Sequence, residues 1–295
     1  MLSILIPTYN YNIAPLVLEI QQQCSFITNL EYEIVVYDDG SKLYHHENRQ
    51  INNLANCSYK ILDQNIGRSA IRNLLAKNAT FKNLLFLDAD VRLISDRFIS
   101  NYLDFIKLNQ NYEIVYGGIV YQTEKPENDQ LLRWIYGNER EALFAEQRNL
   151  NPHLAFLTLN FLANKDVFLK VKFNENIPNL RYEDMLFSYD LKLAKISIQH
   201  INNQVVHNGI ENSELFLKKT NDALKGLKYL LDHKIIDANY TRISKMYFKL
   251  KSFRMLFLMR FFFYVAHKPM KKNLLKENPS LFIFDIYRLA YLSNL

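Results

Sequence analysis

Two carboxylates lie two residues apart in Asp88-Ala89-Asp90, directly after the apolar run Leu84–Leu87. When both are ionised they repel each other, and a bound divalent cation removes that repulsion. Hard oxygen ligands suit Mg²⁺ or Mn²⁺, with the remaining positions filled by diphosphate oxygens and water. The pair also fits a cluster that caps the N-terminus of a following helix. Taken alone, it indicates either a metal site or a helix cap.

Three more polar clusters occur where apolar runs end. They are Pro7-Thr8-Tyr9-Asn10, Asp38-Asp39-Gly40-Ser41 and the segment from Asn65 to Asn73. Asp and Gly suit tight turns, so each cluster alone also fits an ordinary loop. In a parallel sheet, however, ligands bind beyond the carboxyl ends of the strands. Four polar clusters at that edge together predict a binding site.

The elements that must position these clusters alternate between strand and helix in the first half of the chain. Continuous Val, Ile and Leu runs between helical segments indicate an α/β fold with a mostly parallel central sheet flanked by helices on both faces. The predicted strands are Ser3–Ile6, Ile34–Tyr37, Tyr59–Leu62, Leu84–Leu87 and Ile114–Tyr116, and the predicted helices are Ala14–Phe26, Asn48–Ala55, Arg68–Lys77 and Arg97–Leu108.

The rest of the chain is less regular and then becomes helical. In the middle we predict helices at Asp129–Arg148 and Asp184–Lys195 and strands at Ala155–Leu159 and Ser197–Ile201. Beyond Asn212 we predict three helices, at Ser213–His233, Tyr240–His267 and Leu281–Leu292. The sequence contains no internal repeat, so a solenoid or propeller is not indicated.

The composition is that of a globular protein. Of 295 residues, 49% are hydrophobic and 22% are charged, which argues against disorder. Cys24 and Cys57 lack metal-type spacing, and reduced thiols are the simpler interpretation. The N-terminus has no basic leader, and the apolar stretch Met255–Ala266 is interrupted by Arg260. We therefore expect a cytoplasmic protein, with peripheral attachment to the inner face of the cytoplasmic membrane as a further option.

The positive charge is concentrated at the C-terminal end. Residues 213–295 carry 16 Lys and Arg against 6 Asp and Glu, or +10, whereas the whole chain carries +6. Residues 240–272 combine Lys and Arg with Phe, Tyr, Leu and Met, a pattern typical of a helix on an anionic membrane surface. The alternatives are packing on the catalytic domain or on a second subunit. No nucleic-acid-binding motif accompanies the basic region, so we expect no nucleic-acid partner.

The ordered set of motifs resembles the inverting family 2 glycosyltransferases of the GT-A fold, of the bacterial surface-polysaccharide type. The set is Ile-Pro-Thr-Tyr-Asn, Asp-Asp-Gly-Ser, Asn-x-Gly-x5-Arg-Asn, Asp-x-Asp and Glu-Asp, and it covers residues 1 to about 210. The resemblance implies a GT-A domain at 1–211, with a nucleotide-binding half at about 1–117 and an acceptor-binding half at about 118–211. Residues 212–295 then form a basic helical C-terminal segment.

The resemblance also implies roles on the donor side. Pro7, Thr8 and Tyr9 match the wall against the nucleotide base, and Asp39 matches the base or ribose contact. Gly67 and Arg72 belong to the motif near the nucleotide. The same comparison gives Asp88 as the donor contact, Asp90 with Asp88 as metal ligands for Mn²⁺ or Mg²⁺, and His207 as a further ligand, although a lone histidine is often structural.

The acidic pair Glu183-Asp184 implies Asp184 as the catalytic base. It would deprotonate an acceptor hydroxyl, an effect worth roughly 10²–10⁴ in rate. The pair also fits an ordinary helix start, where acids favour the helix dipole. Gln130-Leu-Leu-Arg-Trp134 fits a motif of processive synthases, but it precedes Asp184 here, which favours transfer of a single sugar. The stretch Asn160–Phe168 stands where the family often has a glycine-rich stretch, and Asn160 or Asn164 is a candidate for the acceptor side.

We therefore predict a metal-dependent inverting glycosyltransferase. It would move one sugar from a nucleotide-sugar donor, with a UDP-sugar as the leading candidate, to a hydroxyl of a glycan or lipid-linked glycan in cell-surface polysaccharide synthesis. A nucleotidyltransferase on a related fold is an alternative. Such an enzyme would need a Gly-rich phosphate-binding loop after the first strand, where this sequence has Pro-Thr-Tyr-Asn-Tyr. A second alternative is a catalytically inactive nucleotide-sugar-binding protein, which the retained carboxylates disfavour.

Overall fold

A seven-stranded sheet lies at the centre of the computed structural model, which describes all 295 residues. The strand order is β3-β2-β1-β4-β8-β6-β9, and a second, three-stranded sheet has the order β5-β10-β7. The strands are β1 Leu2–Thr8, β2 Tyr32–Asp38, β3 Cys57–Ile61, β4 Asn83–Leu87, β5 Val91–Leu93, β6 Ile114–Tyr116, β7 Ile119–Val120, β8 Asn160–Asn164, β9 Ile198–His200 and β10 Val205–His207.

The first four sheet strands are parallel, as the apolar runs predicted. β1 pairs in parallel with β2 on one side and with β4 on the other, and β2 pairs in parallel with β3. The register places Thr8 opposite Asp38 at the carboxyl ends of β1 and β2. Polar segments that follow these strands are therefore neighbours at one edge, as expected of a parallel sheet. The α/β class and the mostly parallel sheet are confirmed.

Twelve α-helices accompany the strands. They are α1 Ala14–Ser25, α2 His45–Arg49, α3 Arg68–Asn78, α4 Phe98–Leu108, α5 Leu131–Tyr136, α6 Ala145–Arg148, α7 Lys165–Val171, α8 Glu183–Leu193, α9 Ser213–Asp232, α10 Arg242–Ser252, α11 Leu256–Leu274 and α12 Leu281–Asn294. The predicted helices of the first half agree with these bounds to within a few residues, except that 48–55 is the end of α2 followed by a 3-10 turn.

The middle of the chain departs from the prediction at two places. The predicted strand Ala155–Leu159 is wrong, because the strand there is β8, which begins at Asn160 and runs antiparallel to both β4 and β6. The predicted helix Asp129–Arg148 is broken. A π-type turn follows α5 at residues 137–141, and Phe144 is extended (φ −68°, ψ 156°), which ends any continuous helix before α6.

A break also divides the predicted helix Tyr240–His267. The structure has α10 and α11 there, separated at Phe253–Met255. Arg254 adopts a left-handed conformation (φ 56°), which a continuing right-handed helix does not allow. Residues 240–272, which combine basic and aromatic side chains, therefore belong to two helices.

The chain folds into two compact units. The first unit consists of residues 1–121, 142–177 and 183–209, and it contains both sheets. The second unit consists of residues 122–141, 178–182 and 210–295. The domain division at residue 211 stays a prediction, because compactness does not test whether residues 1–211 fold alone.

Aliphatic and aromatic side chains from four helices form the core of the second unit. They come from α5, α9, α11 and α12, and they comprise Leu132, Leu217, Met270, Leu274, Leu281, Phe284 and Tyr287. Burial of such side chains contributes about 1.5–3 kcal/mol each, enough to hold short helices together. No helix of the chain has both the length and the apolar character needed to cross a membrane.

Candidate active site

Reciprocal hydrogen bonds join the loops that follow β1 and β2. The Asn10 amide donates to Ser41 Oγ at 2.7 Å, and the Lys42 amide donates to Asn10 Oδ1 at 2.8 Å. The Ser41 amide donates in turn to Asp38 Oδ1 at 2.8 Å, a side-chain turn of the kind that Asp favours. The first two predicted clusters therefore form one braced surface at the carboxyl edge of the sheet.

Asp39 links this surface to the third cluster. Its carboxylate accepts hydrogen bonds from the amides of Ile66, at 2.7 Å, and Gly67, at 3.1 Å. Burial raises the pKa of Asp39, and these two amides act in the opposite direction. Gly40 lies beside it with φ 73°, and a Cβ there would stand 2.9 Å from the carbonyl carbon of Gln64. Only glycine allows the two loops to approach so closely.

The helix α3 carries two arginines toward two different acidic pairs. Gly67 precedes the helix with φ 87°, so the chain turns into α3 at a conformation that favours glycine. Arg72 is buried, and its Nη2 lies 2.6 Å from Asp88 Oδ1. Arg68, one turn earlier, places Nη1 3.4 Å from Glu183 Oε1. Residues four apart share a helix face, and this spacing connects the fourth cluster with the later Glu-Asp pair.

Asp184 lies in the first turn of α8, beside Glu183. Burial and, second to it, the negative charge of Glu183 raise the pKa of Asp184 to about 6, although the Met185 amide, Arg72 and Arg68 all act to lower it. The Met185 amide donates to Asp184 Oδ1 at 2.7 Å and fixes the carboxylate. A carboxylate with a pKa near neutrality is well suited to general base chemistry.

Asp90 and His207 converge at the smaller sheet. Asp90 Oδ2 lies 3.7 Å from His207 Nε2, and β10 pairs with β5 so that His207 is opposite Val91. A Cβ on Gly209 would lie 2.7 Å from Asp90 Oδ2 and 3.0 Å from the His207 ring, so glycine keeps this corner open. His207 Nδ1 is buried without a hydrogen-bond partner.

These residues fit a divalent cation. Two ligands on an ion at about 2.1 Å lie roughly 3 to 3.5 Å apart, close to the separation of Asp90 and His207. No group of three His, Cys, Asp or Glu side chains is preassembled around the position. A diphosphate and water would complete the sphere, as Mg²⁺ and Mn²⁺ sites often require. Asp88 engages Arg72 through Oδ1, which leaves its second oxygen for a donor or an ion.

Residues at the end of β1 offer both apolar and polar surface. Thr8 is buried, and its hydroxyl has no hydrogen-bond partner, whereas Tyr9 is half exposed. Tyr11 was not singled out from the sequence, yet the structure places it near Asp90. Burial raises the pKa of Tyr11, and the charge of Asp90 raises it further. The signal in the sequence was its place as the second aromatic residue after Pro7, two positions beyond Tyr9.

Two predicted acceptor-side residues have structural roles. Asn160 is fully buried, where its amide donates to the carbonyls of Gly118 and Asn203 at 2.9 Å each and accepts from Tyr102 at 2.8 Å. The side chain of Asn164 caps α7. The side chain of Asn160 has no atom free for an acceptor sugar, so the acceptor-side prediction for Asn160 is wrong, whereas that for Asn164 stays a prediction.

Comparison with known proteins identifies the family. Residues 3–171, more than half of the chain, match the sequence profile of glycosyl transferase family 2. The chain belongs to this family. This glycosyltransferase is 30% identical to chondroitin synthase of Escherichia coli over 116 residues, which are 39% of its length and 17% of that protein. Family membership sets aside the nucleotidyltransferase alternative.

Solved structures share the fold of this family 2 glycosyltransferase. Residues 1–349 of S. aureus TarS match with a TM-score of 0.54 and 16% identity over 99% of this chain and 90% of that one. The same protein in complex with UDP-GlcNAc matches with a TM-score of 0.53. A mannosyltransferase from Pyrobaculum calidifontis, in complex with GDP-Man and Mn²⁺, matches with a TM-score of 0.52 and 13% identity over 78% of this chain and 64% of that one. At these identities the likeness establishes the fold, and it confirms the GT-A architecture.

Proposed function

We propose that this glycosyltransferase is metal-dependent and inverting, and that it moves a single sugar from a UDP-sugar to a hydroxyl of a glycan or lipid-linked glycan. The proposal is carried by the position of Arg72. This residue forms an ion pair with Asp88 and also interacts electrostatically with Glu183 and Asp184. The buried positive charge of Arg72 therefore acts on both the candidate donor site and the candidate base. That arrangement suits a reaction in which a leaving group departs as an acceptor is deprotonated.

The donor would lie along the carboxyl edge of the sheet. We assign Pro7, Thr8 and Tyr9 to the wall against the base, since Thr8 offers an unused hydroxyl and Tyr9 an exposed ring. Asp39 holds the Ile66–Gly67 turn with its two oxygens and presents its remaining lone pairs to base or ribose. The neighbouring structures with UDP and UDP-GlcNAc support a uridine nucleotide.

Asp90 and His207, with the second oxygen of Asp88, would hold Mn²⁺ or Mg²⁺. When bound, the ion supplies positive charge against the diphosphate that leaves. The chain's own contribution is Arg72, which keeps Asp88 in place through the 2.6 Å contact and adds a fixed positive charge beside it. A buried guanidinium cannot lose its proton at working pH, so this charge is permanent.

Asp184 would act as the base. It takes the proton of the acceptor hydroxyl while that oxygen forms a bond to the anomeric carbon of the donor sugar. The bond from that carbon to the diphosphate oxygen breaks, and its electron pair leaves with the nucleoside diphosphate. A single displacement of this kind inverts the anomeric configuration. Arg72 and Arg68 keep part of the base ionised, because both oppose the rise in its pKa.

Ligand-induced thermal stabilisation tests the donor and metal assignments. A panel of nucleotide sugars with and without Mn²⁺ should raise the melting temperature most for a UDP-sugar with Mn²⁺, since a ligand at 100 times its Kd adds about 2.7 kcal/mol. Asp90→Asn should lose the Mn²⁺-dependent part of the shift. The matched control is Asp96→Asn, an exposed acid six residues later that should leave it intact. Absence of any shift with all diphosphonucleotides refutes the proposal.

We also propose that this enzyme works at the inner face of the cytoplasmic membrane in cell-surface polysaccharide synthesis. Residues 240–272 contain nine Lys and Arg and no Asp or Glu. On α11, the exposed side chains of Phe257, Phe261 and Tyr264 recur at helical spacing, and each is 66% exposed or more. Exposed rings between cations support an anionic bilayer as the partner, where each cation adds on the order of 1 kcal/mol.

Vesicle sedimentation tests the membrane proposal. The chain should sediment with vesicles that contain phosphatidylglycerol and remain in solution with pure phosphatidylcholine. Replacement of Phe257 and Phe261 by Ser should weaken binding at least tenfold. Phe282→Ser on α12, which removes an equally exposed ring elsewhere, should not. Equal binding by all three proteins would exclude α11 as the contact.

A further inference from the structure

Two consecutive residues in front of α8 have a left-handed backbone. Arg181 has φ 72° and Tyr182 has φ 75°, and neither is glycine. Single residues in this conformation are uncommon, and two in succession are costly for side chains of this size. Such a turn persists only where its surroundings hold it. The partners of residues 178–182 therefore identify what fixes the turn.

The helix α9 holds the turn on one side. A Cβ on Gly226 would lie 2.9 Å from the carbonyl oxygen of Arg181 and 3.3 Å from that of Leu180. Gly226 lies in the interior of a 20-residue helix, where glycine lowers helix stability relative to alanine. The close approach of the backbone at residues 180–181 gives a physical reason for glycine at this position.

The helix α12 also contacts the turn. The Arg288 guanidinium donates a hydrogen bond to the side chain of Tyr182, and it also lies near Tyr136 and Asp285. Its position is fixed further by the Phe284 ring, whose centroid is 5.4 Å away. A planar guanidinium that stacks and donates at once has little freedom left. Arg288 therefore fixes the side chain of the second strained residue.

The strained turn leads directly into the acidic pair. Tyr182 precedes Glu183, the first residue of α8, and Asp184 is the next residue. Consecutive Cα atoms are 3.8 Å apart, so a displacement of the turn moves the start of α8 with it. Misplacement of a catalytic group by about 1 Å can lower the rate about 10²-fold.

We propose that Gly226 and Arg288 are positioning residues, which hold the turn at 181–182 so that Asp184 faces the reacting hydroxyl. This proposal rests on the proposed function, in which Asp184 is the base. It assigns to two C-terminal helices a part in the chemistry, independent of any membrane contact. Neither residue touches a substrate in this scheme, and both act through the turn.

Gly226→Ala is the sharpest test, because helix stability and positioning change in opposite directions. The added methyl favours α9 as a helix but collides with the backbone at residues 180–181. We expect kcat to fall at least tenfold, the melting temperature to fall by no more than a few degrees because the gain in helix propensity partly offsets the collision, and the affinity for UDP to remain within twofold. Lys225→Ala, the adjacent exposed residue that pairs with Asp222, is the matched control and should retain wild-type kcat.

Arg288 variants provide a second measurement. Arg288→Met should lower kcat and shift the acidic limb of the pH–rate profile, and Arg288→Lys should recover part of kcat because an ammonium can still donate to Tyr182. Wild-type kcat and an unmoved pH profile in both Gly226→Ala and Arg288→Met would overturn the proposal. If Asp184→Asn is inactive while these variants are fully active, only the positioning proposal fails. If Asp184→Asn is active, the proposed function itself fails.

Discussion

Asp184→Asn should stabilise the protein while it abolishes sugar transfer. The pKa of Asp184 is raised from 3.8 to about 6, first by burial and then by Glu183. A group whose pKa is higher in the folded than in the unfolded state gives stability that is complete below pH 3.8 and lost as the pH rises through about 6. At pH 7.5 the folded protein therefore carries an unfavourable ionised carboxylate, and an uncharged amide relieves it.

The size of the gain follows from the shift. About two pKa units correspond to roughly 3 kcal/mol, so we expect Asp184→Asn to raise the free energy of unfolding by about 1–3 kcal/mol at pH 7.5. At pH 4.5, where the folded wild type is mostly protonated, the gain should fall to about a third of that value. Urea denaturation at the two pH values measures both.

A matched carboxylate on the same helix separates stability from chemistry. Burial also raises the pKa of Asp190 to about 6, and this residue lies six positions after Asp184, on another face of α8. Asp190→Asn should show a gain in stability at pH 7.5 that is smaller than that of Asp184→Asn, because Asp190 is only half-buried and solvent screens its charge, and it should retain transfer activity. If Asp184→Asn is no more stable than wild type, or if it transfers sugar at the wild-type rate, the assignment of a desolvated base is refuted.

Three further substitutions test the site and its support. Gly40→Ala should lower the free energy of unfolding by about 1–3 kcal/mol in urea titrations, because φ is 73° and the new methyl would meet the Gln64 backbone at 2.9 Å. Arg72→Met should weaken UDP binding at least tenfold by calorimetry and destabilise the fold, since it leaves Asp88 without its 2.6 Å partner. Arg148→Met should cost about 3 kcal/mol by the same urea assay, because buried carbonyls that the guanidinium now satisfies would lose their donors.

The parallel half of the sheet could be predicted because its signals are local. β1, β2 and β4 are short apolar runs, β3 is an edge strand in which only Tyr59 is buried, and turn residues after each strand reveal where it ends. β8 gave no such signal. Its terminal residues, Asn160 and Asn164, are polar, and the strand exists because it pairs with β4 and β6, which are distant in sequence. Pairing of this kind depends on tertiary context more than on intrinsic preference.

For the candidate site, the residues could be predicted from the sequence, but the contacts between them could not. Its residue types and their order indicated a site at the carboxyl edge, and Asp39, Arg72 and Asp184 all came from that pattern. The contacts between them were not predictable. Arg72 pairs with Asp88, and Arg68 reaches Glu183, because of the orientation of α3. This orientation brings together positions up to 115 residues apart in the sequence.

The antiparallel strand β8 has a consequence for synthesis on the ribosome. β4 ends at Leu87, and its outer edge has no partner until residues 160–164 have been made and have left the exit tunnel. At 5–20 residues per second, that interval is about 4–15 s. During it, the nascent chain exposes a row of unpaired backbone amides and carbonyls on an apolar strand, which is a template for pairing with another chain. The period of greatest vulnerability to aggregation therefore falls before the second half of the sheet has emerged, and a chaperone that shields β4 would act within it.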